Sequence, residues 1–160
     1  MTEVPIAILD SEVIVRAICH PYHFDKKGRL KWFAYRPPPE ETKVSVLRHN
    51  YLGGDACKQK GQSLNAEGKT YAGLAFSTAK GIKAARVGLI DSREEFLGHA
   101  DIVHAQPAPP RHAEPDSAEL DVLRTACKKI LESTVFIKDP YPDGQSWTCG
   151  CPTLSEPEIS

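Results

Sequence analysis

Val13-Ile14-Val15-Arg16-Ala17-Ile18 is the stretch on which the reading of this chain turns. Four of its six residues are β-branched, and Asp10-Ser11 before it and His20-Pro21 after it bound the run, which marks a strand between turns. Apolar side chains at consecutive positions, rather than at every second one, place that strand inside a sheet. Arg16 interrupts the run. A guanidinium there is either paired, lines a cleft, or reaches solvent along its own stem, because an unpaired buried charge is expensive.

Further elements follow from this one. Asp25 and Gly28 mark a turn, and Leu30–Arg36 after it predicts the second strand of a hairpin. Pro37-Pro38-Pro39 is a stiff extended connector, too short to argue for a polyproline-binding partner. Thr42–Arg48 alternates, with Val44, Val46 and Arg48 on one side and Ser45, Leu47 and His49 on the other. After the turn Asn50–Asp55, residues Ala56–Leu64 predict a short polar helix capped by Asp55. Tyr71–Phe76 and Arg86–Ile90 read as strands on either side of a short helix that Ser77 caps. Gly98–His104 reads as another strand, ending at a proline-rich connector, Gln106–Asp116.

The strongest helix signal comes next. Asp116-x-x-Glu119 is a capping-box-like start, and Leu120, Leu123, Cys127, Ile130 and Leu131 form one apolar stripe over Ser117–Glu132. Ser133–Lys138 adds a strand or an extended clip, and the proline-, glycine- and acid-rich residues 139–160 predict a flexible tail. The expected fold is therefore α+β, a single small domain over residues 1–138 with a mixed sheet of about five strands covered on one face by the C-terminal helix.

Composition bounds the partners. At 160 residues the chain supports one core, and its formal net charge of −1 gives no whole-molecule field toward nucleic acid or an anionic membrane. Any phosphate recognition must be local. No apolar run approaches the roughly 18 residues that span a bilayer, and Met1-Thr2-Glu3-Val4-Pro5 lacks a basic leader, so a cytoplasmic location and no membrane partner are expected. Five cysteines, an odd number, suit reduced thiols better than a disulfide framework.

The chemistry-bearing residues are sparse. In Gly98–His104, strand periodicity puts His99 and Asp101 on one face and His104 on the other. A carboxylate beside an imidazole fixes its tautomer, which suits a general acid or base or an anion-binding cation; the other reading is a pair that simply satisfies itself at a strand end. With Arg16, His23 and Arg48 they complete the candidate site, in which arginines would stabilise developing charge and histidines would move protons. Ser45 near His49 lacks the strained elbow of a nucleophilic serine, and Gly68-Lys69-Thr70 lacks the strand and glycine spacing of a phosphate loop. Metal is not expected. His20-x-x-His23 offers two ligands, and the possible cluster of His99, Asp101, His104, His112 and Glu114 spreads over two faces and a loop. Cys149-Gly150-Cys151 reads as incidental exposed thiols, and no cofactor motif is present.

His23-Phe24, the aromatic run into Ala34-Tyr35 with its prolines, Ser45-Val46 with Arg48, Ile82–Leu89 and His99-Ala100-Asp101-Ile102 together resemble an uncharacterised family of small bacterial hypothetical proteins with a His-Ala-Asp-Ile motif. The resemblance covers roughly residues 13–132, leaves the tail outside it, and implies no activity, cofactor or catalytic residue. Two functions remain in view. One is a small cytoplasmic interaction or accessory module that binds a protein partner. The other is a metal-independent enzyme on a phosphate-bearing substrate, nucleotide or RNA, such as a small ribonuclease or toxin. Convergence of Arg16, Arg48 and His99 on an open pocket favours ligand chemistry; mutual burial favours structure.

Overall fold

Residues 3–110 and 118–154 are described by the computed structural model, and its organising element is β1 (Val13–His20). β1 lies between β2 (Lys43–Arg48) and β3 (Thr70–Thr78) in a six-stranded sheet. With β4 (Gly88–Asp91), β5 (His99–Val103) and β6 (Val135–Lys138), the order is β4-β5-β2-β1-β3-β6, and every neighbouring pair is antiparallel. The α+β class and the helix-covered sheet stand as expected, with six strands in place of about five. Among the described residues no helix is long and apolar enough to cross a membrane.

The continuous apolar run of β1 is explained by two covered faces. Ile14 and Ile18 join Val44, Val46, Ala100 and Ile102 beneath α3 (Ala118–Glu132), where Leu123, Cys127 and Ile130 complete the core. Fully burying each large apolar side chain contributes roughly 1.5–3 kcal/mol, enough together to dock the helix. Val15, Ala17, Leu47, Tyr71, Leu74 and Phe76 form a second cluster with Cys57 of α1 (His49–Gln62) on the opposite face. The expected single covering layer is therefore two layers. The Asp116 start of the helix lies outside the described residues.

Several local expectations change for identifiable reasons. Leu30–Arg36 makes a 3₁₀ turn at Trp32–Tyr35 instead of a hairpin strand, since β1 already has a strand on each side and leaves no ladder to join. Tyr35 is buried there, its hydroxyl 2.9 Å from Thr134 Oγ1. β3 runs on to Thr78, which rather than Ser77 caps α2 (Ala79–Lys83) by accepting the Gly81 amide. α1 begins earlier than predicted and breaks at Gly53, whose φ of 75° is open to glycine. Asp55 does not cap it and instead accepts the Trp147 amide at 2.8 Å.

That last bond belongs to the largest departure. Residues 139–154, expected to be flexible, are packed on the α1 face, with Trp147 and Leu154 against the second core cluster. A Cβ on Gly54 would come within 2.5 Å of the Trp147 ring, so only glycine allows this approach. The anchor is Lys58, fully buried on α1. Its ammonium donates to the Tyr141 and Ser146 carbonyls at 2.6 and 2.9 Å and lies 3.0 Å from Asp139 Oδ2, which also accepts the Tyr71 hydroxyl. Despite burial, hydrogen bonds from Tyr71, the Tyr141 amide and Lys58 hold Asp139 below the usual carboxylate range.

Leu123 tests the α3 layer most directly. Leu123→Ala is expected to cost roughly 2–5 kcal/mol in urea denaturation as a core truncation. A loss smaller than about 0.5 kcal/mol, the level of a surface substitution, would contradict the packing.

Candidate functional site

The site arises where the sheet fails to pair. β1 and β2 share only two register positions, Ile14 with Arg48 and Val15 with Leu47. Beyond them the Arg16 side chain takes over: Nε donates to the Ala34 carbonyl of the 3₁₀ turn at 2.9 Å and Nη1 to the Ser45 carbonyl of β2 at 3.0 Å. Nη2 makes no hydrogen bond with a described residue, and no described carboxylate pairs with this guanidinium. Burial pulls the Arg16 pKa down, yet an arginine starts so high that it stays charged.

Arg16, His23 and His99 line one cleft of about 300 Å³ on the α1 face, with Lys60, Lys69, Glu95 and Phe96. Ala17, Leu47 and Leu64 supply apolar wall. None of the three cations forms an ion pair among the described residues; Lys60 Nζ instead sits 3.8 Å from the Phe96 ring centroid. Three positive groups against the single carboxylate of Glu95 make this a local cationic site on a chain whose net charge is −1. Such a cleft attracts anions and holds them more strongly than open water would.

The two histidines differ. His23 Nδ1 accepts the Cys19 amide at 3.0 Å, so the proton of the neutral ring is on Nε2. Burial first, then Arg16, Lys69 and Lys31, push its pKa down to about 3. His23 is thus a neutral donor near pH 7. His99 is 6% exposed, and its Nδ1 is buried with no hydrogen-bond partner. Its ring meets Phe96 edge-on at 5.0 Å between centroids. An unsatisfied buried nitrogen costs about 1–3 kcal/mol.

The expected His99–Asp101 couple does not form. Both belong to the face opposite Ala100 and Ile102, but alternate residues of a strand stand about 6.6 Å apart, too far for these side chains to bond unless they lean together. Asp101 Oδ2 accepts the Ser92 hydroxyl at 2.6 Å instead, and no hydrogen bond or ion pair joins it to His99. Asp101 is buried beside the cleft without lining it.

Arg48 stands apart altogether. Its side chain is fully buried, with Nε 2.5 Å from Glu12 Oε1, Nη2 2.9 Å from Glu12 Oε2 and Nη1 2.8 Å from Asp91 Oδ2. It also donates to the carbonyls of Pro5 and Ala7, and Arg93 joins Asp91 at 2.7 Å and the Val4 carbonyl at 2.8 Å. Bonds from Arg93 and then Arg48 outweigh burial and hold Asp91 below the usual carboxylate range. Two cations and two carboxylates neutralise one another and pin the N-terminal segment to the sheet. Arg48 is a structural clamp here, and it does not line the cleft that holds Arg16 and His99.

Other expected chemistry resolves similarly. His104 Nε2 donates to the Tyr35 carbonyl at 2.9 Å, and the Cys127 thiol uses the same acceptor. Although the two side chains are 4.0 Å apart, that nitrogen has no lone pair to take the thiol proton, and burial pushes the thiol up to about 12. Ser45 lines the cleft through its strand position, whereas His49 starts α1 and packs on Phe76, so they make no pair. Among the described residues no three His, Cys, Asp or Glu side chains are placed to hold a metal ion; His112 and Glu114 lie outside them. Cys149 and Cys151 are free and exposed.

Sequence reasoning missed Lys60, Lys69, Phe96 and Glu95. Lys69 was visible only as the lysine of a Gly-Lys-Thr with the wrong context, and Lys60 only as one charge on a polar helix. No local pattern links them, because the cleft is assembled from β1, β2, β5, the C-terminal end of α1 and the loops that carry His23, Lys69, Glu95 and Phe96.

Two measurements check this account. Arg48→Met should destabilise the protein by about 3–5 kcal/mol, since it strands Glu12 and Asp91 as buried charges. A change within about 1 kcal/mol in urea denaturation would show the clamp to be dispensable. For His23, the folded pKa of about 3 lies below the ordinary histidine value of 6.5. Between those values the unfolded chain binds the proton and the folded one does not, so this group lowers stability as pH falls through that window. The ring resonances of His23 should stay flat from about pH 8 to about pH 5 in an NMR titration, and a midpoint near 6.5 would contradict the buried, bonded ring.

Comparison with protein-family models, with curated proteins and with solved structures yields no match, so the site is argued from its geometry alone.

Proposed function

We propose that this protein is a small cytoplasmic accessory module that binds a phosphate-bearing small molecule in the cleft between β1 and β2. The carrying observation is the grouping of Arg16, Lys60 and Lys69, none held by a described carboxylate, around His99, neither of whose ring nitrogens bonds a described residue. Arginine and lysine without protein counter-ions are the donors that phosphate oxygens take, and the neutral His23 Nε2–H adds a further hydrogen bond without charge. The cytoplasmic assignment is supported by five cysteines that are all free thiols.

Enzymatic turnover is the second reading, and His99 is the observation that favours it. It is the one candidate imidazole with neither ring nitrogen committed to a described residue, so a proton moved at a bound phosphate ester would pass through it. Binding comes first because, among the described residues, neither serine of the cleft, Ser45 or Ser63, is hydrogen-bonded to His99.

Titration of the ¹⁵N-labelled protein with pyrophosphate and with ribose 5-phosphate tests the proposal. Saturable shifts should centre on residues 16, 23, 69 and 99, weaken with added salt, and lose about tenfold in affinity in Lys69→Gln, a half-exposed site that leaves the fold intact. Shifts elsewhere, or an affinity indifferent to Lys69→Gln, would refute it.

A further inference from the structure

The cleft has two chemically distinct ends. At one, Arg16 and Lys69 lie close enough to His23 to act on its ring electrostatically, and no acidic group contributes there. At the other, the Phe96 ring carries the His99 ring on its edge and the Lys60 ammonium on its face, with Glu95 alongside. A negative ligand group is drawn more strongly to the first end, because at the second the Glu95 carboxylate offsets the Lys60 ammonium. A flat, polar-edged ring suits the second: it can replace the lysine over Phe96 and meet His99 Nε2, the ring nitrogen that is not sealed from solvent and that no described residue bonds.

Resting on the phosphate reading above, we infer that the cleft takes one mononucleotide, its phosphate between Arg16 and Lys69 and its base against Phe96 with an edge hydrogen-bonded to His99. A cavity of about 300 Å³ sits at the small end of ligand pockets and holds one such unit. A polynucleotide needs a basic track for successive phosphates. Here the cations are gathered in one cleft, which Glu95 also lines.

Calorimetric titration of the full chain with AMP, UMP, ribose 5-phosphate, adenosine and a short single-stranded RNA separates the possibilities. AMP or UMP is expected to bind at least tenfold tighter than either ribose 5-phosphate or adenosine. Phe96→Leu, checked for folding by circular dichroism, should cut the advantage over ribose 5-phosphate to about twofold, and His99→Leu should weaken the nucleotide more than His99→Gln does. Equal affinity for nucleotide and ribose 5-phosphate overturns the base site and leaves the phosphate reading standing. Adenosine binding as tightly as AMP overturns the placement of the phosphate, RNA binding tenfold tighter than AMP overturns the single-nucleotide assignment, and no binding by any phosphate compound overturns both readings. Should Phe96→Leu fail to fold, the wild-type affinity series decides by itself.

Discussion

Arg16 occupies the place where the central ladder of this sheet stops. After Val15 and Leu47, β1 and β2 no longer exchange backbone bonds, and the guanidinium satisfies carbonyls from β2 and the 3₁₀ turn at once. One side chain thereby closes the middle of the sheet and opens a cationic cleft beside it. Arginine suits this because its planar fork binds two acceptors and still presents a third nitrogen. The 3₁₀ turn, the separation of the strands and the lining of the cleft all follow from that arrangement.

The molecule treats its buried cations in two ways. Arg48 and Lys58 are each matched by carboxylate and backbone carbonyl oxygens, and each ties a remote segment down: residues 5–7 in one case, residues 139–146 in the other. Breaking a buried matched pair is costly, which makes both networks staples. Arg16 has carbonyls and no described carboxylate, so its charge remains to be answered by something else. The distinction between clamp and binding group lies in these partners and not in the residue type.

The histidines divide by the same accounting. His23 and His104 each commit a nitrogen to the backbone, and burial lowers the pKa of both. His99 commits neither nitrogen to a described hydrogen bond, because the carboxylate two residues along is held by Ser92. His99 thus keeps hydrogen-bonding capacity that no described residue uses, and its ring meets Phe96 edge-on.

Local pattern carried much of this protein. The β-branched run of β1, the alternation of β2, the stripe Leu120, Leu123, Cys127 and Ile130, and the shared face of His99 and Asp101 are consequences of strand and helix periodicity, which a sequence displays directly. It also singled out Arg16 as a charge needing a partner or a cleft. Tertiary structure decided the rest. Whether Arg48 or Arg16 lines the cleft depends on where Glu12 and Asp91 arrive, 36 and 43 residues away in sequence. The tail was misread because its anchor, Lys58, looks like any surface lysine until Asp139 and two carbonyls surround it. Lys60, Lys69 and Phe96 joined the site only when separate elements met, since charge compensation and burial depend on distances through space that spacing along a chain does not encode.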